Sequence, residues 1–212
     1  MNRRKHLLTP HTQDSFKGLP VVETMHSLAT ENLSIIKQSM DHALHRHPNL
    51  LVVPVRLTIP INCKKNIEQC FNSLAVRIHS ATHNKFGGFR PFCKVQIIYA
   101  KKLTDTRPIY RAVFLLNLET FKPSDFAWIK QIIGLCWQKI TWCPSSAIGA
   151  FVKVDQQQVK VLKAGEENYR ERIEELFMFL SIMAEMPTLG PMKSEHKVGI
   201  KQGWLASKKQ LA

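Results

Sequence analysis

The residues with the clearest chemical potential are lysines and arginines in the middle of the chain. Residues 83–111 contain seven basic side chains and one acidic one, Asp105. Ammonium and guanidinium groups bind phosphate oxygens, and guanidinium does not lose its charge in proteins. This composition favours contact with a phosphate backbone, although each side chain taken singly is most often just solvated. The candidates in this segment are Lys85, Arg90, Lys94, Lys101, Lys102, Arg107 and Arg111.

The histidines and cysteines give weaker evidence of a functional site. His42 and His45 are three residues apart and could touch one ion, but an exposed helix face is the better interpretation, and no compact zinc spacing occurs. The five cysteines are an odd number without paired spacing, which is typical of free thiols in a reducing cytoplasm. Cys136 and Cys143 are expected in the core. The sequence therefore predicts no metal ligands and no cofactor.

Overall charge points to a polyanionic partner. Lys and Arg number 30 against 16 Asp and Glu, a formal net charge of +14. Such an excess strengthens binding to nucleic acid in a salt-dependent way, although a merely soluble basic protein or one with an acidic protein partner stays possible. Pro10 and His11 interrupt the N-terminal region before any long apolar run, so we expect neither a secretory signal nor a membrane span. A cytoplasmic protein without membrane contact is predicted.

Hydrophobic periodicity predicts alternating helices and strands. Apolar residues recur at three- and four-residue steps in the helices, and β-branched residues cluster in the strands. Ser124 is expected to cap the third helix. Predicted helices cover 22–46, 65–84, a segment after Ser124, and 166–186, and predicted strands cover 50–59, 92–101, 108–117 and 148–154, with 158–162 pairing to the last.

The order of these elements predicts an α+β fold. The inner six follow the split βαβ, or ferredoxin-like, order, which gives one antiparallel sheet with helices mainly on one face, plus N- and C-terminal helices. The other face would then be open to a ligand. We expect an irregular arm over 1–20, a single domain over 21–187 and a loosely ordered basic tail over 188–212.

Three segments resemble the inovirus-type replication-protein-like family, which includes prophage proteins of the YagK/YfjJ type. They are HPNLLVVPVRLTIP at 47–60, IYAKK through RPIYRAVFLLN over 98–117, and LFMFLSIMA at 176–184. Each segment is mainly apolar, so their order and spacing carry the resemblance. That family is similar to rolling-circle replication initiators, in which two histidines on a central strand hold a divalent metal and a helical tyrosine attacks a DNA phosphate.

This sequence departs from the initiator pattern at the positions that matter. The resemblance places the metal pair at Ile109 and Arg111, neither of which can ligate a divalent cation. It places Ile182 where the tyrosine is expected and Arg56 where relatives tend to carry an acid. If Ile109 and Arg111 keep one sheet face, Arg56 and Thr58 should share it, and two guanidinium groups would replace a metal. The alternative is that these arginines pair with acids such as Glu185 or face water.

Three hypotheses follow. The first is a prophage-derived, replication-protein-like protein that binds nucleic acid, chiefly DNA, without metal-dependent nicking. The second is an active nicking or strand-transfer endonuclease in which Tyr99 or Tyr169 acts with Asp105 or Asp125. The third is a self-association or protein-interaction module that uses the acidic C-terminal helix, with Glu166, Glu167, Glu171, Glu174 and Glu175.

Overall fold

Five helices and ten strands make up the described part of the protein. A computed structural model describes residues 9–24, 27–60, 63, 66–85, 95–102, 109–185 and 199–202. The helices are α1 (Thr30–Arg46), α2 (Ile67–Lys85), α3 (Phe126–Thr141), α4 (Ile148–Phe151) and α5 (Tyr169–Ser181). The strands are β1 (Pro10–His11), β2 (Ser15–Phe16), β3 (Leu19–Pro20), β4 (Leu28–Ala29), β5 (Leu50–Thr58), β6 (Gln96–Lys102), β7 (Ile109–Asn117), β8 (Val152–Val154), β9 (Lys160–Leu162) and β10 (Gly199–Gln202). The predicted α+β class is confirmed.

One antiparallel sheet organises the fold, with strand order β10-β6-β7-β5-β8 and with β9 also paired to β5. The predicted hairpin of β6 and β7 is present. The longest ladder joins β5 to β7 over the whole of both strands, from Leu50 opposite Asn117 to Thr58 opposite Ile109. Because side chains alternate between the two faces of a strand, this register fixes which residues share a face.

The first face of the sheet packs against α2 and α3. Leu51, Val53, Val55 and Leu57 of β5 point into this layer, where they meet the apolar stripes of both helices. The α2 and α3 residues there include Phe71, Leu74, Ile78, Ile129, Ile133 and Trp137. This layer contains most of the large aromatic core, as the helical periodicity predicted.

The second face is covered in part by α1 and α5, so less of it is open than the element order alone predicts. Leu50 and Val52 of β5 lie beneath these helices, in a core completed by residues such as Leu33, Met40, Leu176 and Phe177. Further along β5 on the same face, the side chain of Arg56 is exposed to solvent. A charged side chain resists burial, which agrees with the exposed position of Arg56 on this face.

A proline interrupts the outer edge of β5. Residues 50–52 pair with β9 and residues 55–57 pair with β8, which leaves Val53 and Pro54 unpaired on that side. Proline lacks a backbone N–H, so a break in the ladder suits it. The chain between β8 and β9 forms a short 3-10 turn, Gln156–Gln158, instead of continuing the strand. The predicted pairing of 158–162 with β8 is thus wrong, since β9 pairs with β5.

The first described residues pack onto the domain. β1 pairs with β4, and the ring of Phe16 is buried and stacks on Phe177 with ring centroids 6.3 Å apart. The Ser181 hydroxyl accepts a hydrogen bond from the Val22 amide at 2.8 Å. The division into arm, domain and tail stays a prediction.

Several predicted element ends are corrected. α1 begins at Thr30 and not at residue 22, because Leu28 and Ala29 pair with β1. Ser124 does not cap α3, since a 3-10 turn precedes the helix and no side-chain cap bond forms. Residues 148–151 form a helical turn before β8, and α5 runs only from Tyr169 to Ser181. Within the described residues, no helix is both long and apolar enough to cross a bilayer.

Trp142 ends α3 in an unusual way. Its backbone is left-handed, with φ 60° and ψ 28°, and its amide donates to the Gln138 carbonyl at 2.8 Å. Its indole is 86% exposed. Glycine or asparagine normally occupies this position because other side chains crowd the backbone there.

The other tryptophan near the end of α3 is buried. Trp137 Nε1 donates to the Thr58 carbonyl at 3.0 Å, and this bond joins the end of α3 to the end of β5.

Trp142→Asn should therefore stabilise the protein. Asparagine tolerates the left-handed conformation, and little indole burial is lost, so we expect the free energy of unfolding to rise by up to about 1 kcal/mol. Trp137→Phe serves as the contrast, because it loses the bond to Thr58 and some core volume and should cost about 1–3 kcal/mol. Urea denaturation followed by circular dichroism measures both. A clear loss of stability in Trp142→Asn would contradict the strain argument.

Candidate functional site

Three cations stand in one line across the sheet. Arg56 on β5 lies opposite Arg111 on β7 and opposite Lys153 on β8. Adjacent strands are about 4.8 Å apart, so the outer two backbone positions are roughly 10 Å apart. These residues, called the cation row below, lie on the second face of the sheet. The predicted sharing of one face by Arg56, Thr58, Ile109 and Arg111 follows directly from the register.

The three charges differ in how far they are compensated. Arg111 Nη1 lies 3.5 Å from Glu185 Oε2, with exposed fractions of 34% and 26% for the two side chains. The expected alternative of an ion pair with Glu185 is therefore present for Arg111. Arg56 and Lys153 are exposed, and among the described residues no carboxylate lies within ion-pairing distance of either. Two of the three cations thus face solvent with their charge available.

A groove of about 710 Å³ runs beside the cation row. One wall is the interrupted edge of β5 with the turn between β8 and β9. The opposite wall is the end of α5 and the 3-10 turn after it, which contributes Phe179, Ile182 and Met183. The full lining is Pro54, Val55, Arg56, Arg111, Ala112, Val113, Lys153, Val154, Asp155, Gln156, Gln157, Gln158, Phe179, Ile182 and Met183. Three cations, one carboxylate and three amides therefore surround an apolar floor.

The groove collects some of the positions singled out by sequence. Arg56, Arg111 and Ile182 all line it, although they come from three separate segments. Ile109 shares the face but does not belong to the lining. Lys153 is not among the residues that the sequence predicts, because it lies outside the basic segment 83–111. The alternation of Val152, Lys153 and Val154, buried, exposed and half-buried, is the signal that could have found it.

Of the other predicted phosphate contacts, three lie in the described part of the chain and three lie outside it. Lys101 is opposite Tyr110, so it belongs to the face that carries α2 and α3, away from the cation row. The backbone of Lys102 lies opposite Ile109, and Lys85 ends α2. Arg90, Lys94 and Arg107 lie outside the described residues. Nucleic-acid contact by these residues stays a prediction.

The candidate tyrosine nucleophiles are not in the groove. Tyr99 is buried under α2, with its ring stacked on Phe71 at 3.9 Å between centroids. Burial raises the pKa of the Tyr99 phenol to about 12, which disfavours the phenolate. Tyr169 lies at the start of α5, where its hydroxyl donates to the Pro48 carbonyl at 3.0 Å. Asp125 precedes α3 on the other side of the sheet, and Asp105 lies outside the described residues.

The cysteines belong to the structure and not to the groove. Cys70, Cys136 and Cys143 are buried, Cys63 is half-buried, and these four described cysteines form no disulfide bond. Burial raises the pKa of the Cys136 thiol, which makes it a poor nucleophile. Over the described ranges, no three histidine, cysteine or carboxylate side chains gather in a way that could hold a metal ion.

The acidic C-terminal helix is largely compensated by its own neighbours. Arg170 Nε lies 3.4 Å from Glu174, and Arg172 Nε lies 3.5 Å from Glu166. Lys160 reaches Glu175 at 3.9 Å. These are exposed pairs of small energetic value, but they reduce the negative field that a basic partner would meet.

Comparison with known proteins gives one result. The sequence pattern of the family described as YagK/YfjJ C-terminal domain matches residues 11–199. No curated protein and no solved structure matches the chain. The matched range includes the central sheet, the helices on both faces and the groove, but it assigns no ligand and no reaction.

The buried Tyr99 phenol predicts a specific loss of stability in alkali. Its pKa rises from 10 to about 12 in the folded chain, so its contribution is complete below pH 10 and is lost as the pH rises towards 12. The free energy of unfolding of the wild type should fall over this pH interval. The free energy of unfolding of Tyr99→Phe should fall less steeply. Urea titrations at several alkaline pH values measure this. Identical slopes for the two proteins would show that Tyr99 does not contribute.

Proposed function

The chain belongs to the YagK/YfjJ C-terminal domain family, a family of the prophage type, and from this premise we propose that it is a replication-protein-like protein that binds nucleic acid. We propose DNA as the partner and the cytoplasm as the place of action. The observation that carries the proposal is the cation row, with three positive side chains in register on an exposed part of the sheet.

The cation row lowers the stability of the folded protein when no anion is bound to it. Like charges directly opposite each other on neighbouring strands repel, and here two such pairs share Arg56. A packed sheet without a ligand would be more stable with neutral or opposite charges at these positions. Phosphates placed along the row would reverse the sign of this interaction, because each anion would lie between cations.

Net charge and family both support this interpretation. The excess of 14 positive charges raises the encounter rate with any polyanion, and the row gives part of that charge a fixed position. Arg56, Arg111 and Ile182, three of the four positions that differ from the initiator pattern, line the groove beside the row. We propose binding without metal-dependent nicking, because Ile109 and Arg111 cannot ligate a divalent cation.

The cation row contacts phosphate and not bases in this proposal. Phosphate contacts position a protein on nucleic acid but carry little sequence information. Each neutralised phosphate releases condensed counterions, so binding should weaken linearly in the logarithm of the salt concentration. The number of contacts can therefore be counted from the slope.

Arg56→Gln and Lys153→Gln test the proposal. Each should lower the affinity for DNA roughly 3- to 10-fold and reduce the salt slope by about one, because one phosphate contact is lost. Neither should lower the free energy of unfolding, because each removes a repulsion. Fluorescence anisotropy of labelled single- and double-stranded DNA and RNA, from low to physiological salt, measures the affinities.

Two further variants serve as controls. Lys122→Gln removes an exposed charge at the other end of the sheet and should leave the slope unchanged. Glu185→Gln frees Arg111 and should raise the affinity. Absence of binding to any of the four nucleic acids at low salt, or equal effects of Lys122→Gln and Arg56→Gln, would overturn the proposal.

A further inference from the structure

The exposed end of α3 carries a second feature that the cation row does not explain. Trp142 combines two unfavourable properties, since its indole is 86% exposed and its backbone is left-handed. Either property alone is uncommon for a large apolar residue. Local rules of this kind are most often broken where a residue has a binding role. Among the described residues, none makes a hydrogen bond or a ring contact to this indole.

The backbone that carries this indole is anchored on both sides of Trp142. The Trp142 amide is bonded to the Gln138 carbonyl, and the next residue, Cys143, is buried. The side chain therefore projects from a backbone that is anchored on both sides. An indole has only two side-chain torsions, so fixing this ring against a flat ligand costs little conformational entropy.

Charge around the ring selects the class of ligand. The exposed side of α3 presents Lys130, Gln131, Leu135 and Lys139 before Trp142, and the helix contains no acidic residue. A cation beside an exposed aromatic ring is the arrangement that binds single-stranded nucleic acid, in which the backbone meets the charge and a base stacks on the ring. A basic partner would meet repulsion from the two lysines.

The position of α3 connects this ring to the cation row. Trp137 is bonded to the Thr58 carbonyl, so the end of α3 lies at the Thr58 end of β5. The row crosses β5 only two residues from Thr58. The chain runs from Trp142 through α4 directly into β8, which carries Lys153 at the edge of the sheet. A strand that passes around the β8 edge would thus meet the indole on one side and the row on the other.

We infer that Trp142 is a base-stacking residue and that the bound partner contains unpaired bases. This inference rests on the proposed function, because the row supplies the phosphate contacts, and it adds a contact that duplex DNA cannot satisfy. Bases in a duplex are already stacked, whereas every unpaired base offers a free π-face.

Trp142→Asn is the decisive variant, because it is expected to keep or improve folding while removing the stack. Its affinity for short single-stranded oligothymidylate should fall about 5- to 100-fold, as expected for the loss of one stacked base. Affinity for a duplex and for an abasic oligonucleotide of the same length should change less than about twofold, because neither offers an unpaired base. Trp142→Phe should keep much of the wild-type affinity, because phenylalanine can also stack on a base. The salt slope of Trp142→Asn should equal that of the wild type, because no phosphate contact is lost.

Leu135→Asn is the matched control. Leu135 is 44% exposed on the same side of α3 but has no flat ring, so its loss should leave binding unchanged. If Leu135→Asn weakens binding as much as Trp142→Asn, or if Trp142→Asn weakens the abasic and normal strands equally, base stacking is refuted. Row-dependent binding with no effect of Trp142→Asn refutes this inference alone, whereas a wild type that binds no nucleic acid refutes the proposed function as well.

Discussion

The ladder between β5 and β7 is the constraint on which the rest of the structure depends. It pairs nine consecutive positions on each strand and leaves no freedom in the register. A slip of β5 by one residue would move Leu51 and Val53 out of the core against α2 and α3 and turn Arg56 towards it. The aromatic core against α2 and α3 therefore determines, by alternation, that Arg56 and Arg111 lie together on the opposite face.

That coupling explains how a fold can retain an unfavourable charge arrangement. The apolar contacts on the first face are numerous, and burial of a large apolar side chain contributes about 1.5–3 kcal/mol. Repulsion between partly exposed cations is weaker, on the order of the 0.2–1 kcal/mol measured for cross-strand pairs. The core can thus hold the cation row in register without a compensating acid at each position. Among the described residues, Arg111 is the member of the row that forms an ion pair, with Glu185.

Much of this could be predicted from the sequence, for clear reasons. The long strands β5 and β7 and the hairpin partner β6 are dense in β-branched and apolar residues, and their positions were found within a few residues. The shared face of Arg56 and Arg111 followed once the two strands were assumed to pair antiparallel. Lys153 could not be assigned, because a three-residue strand carries too little pattern to give its pairing partner.

The extent of the open face could not be predicted either. Element order shows which helices connect which strands, but not where the terminal helices α1 and α5 rest. Their apolar stripes lie across Leu50 and Val52, and the contacts of Phe16 with Phe177 that help to hold them come from a segment expected to be irregular. The left-handed backbone at Trp142 has no sequence signal, because tryptophan is a poor choice there.

The β5–β7 ladder also has a consequence for how the chain folds. It joins residues more than 50 positions apart, from Leu50 with Asn117 to Thr58 with Ile109. Closing so long a loop costs entropy before any contact repays it, so the sheet should form late and slowly compared with the local β6–β7 hairpin. The cation row draws on three distant segments and exists only once that step is complete. A polyanion that binds the row would therefore select folded molecules and slow their unfolding by mass action.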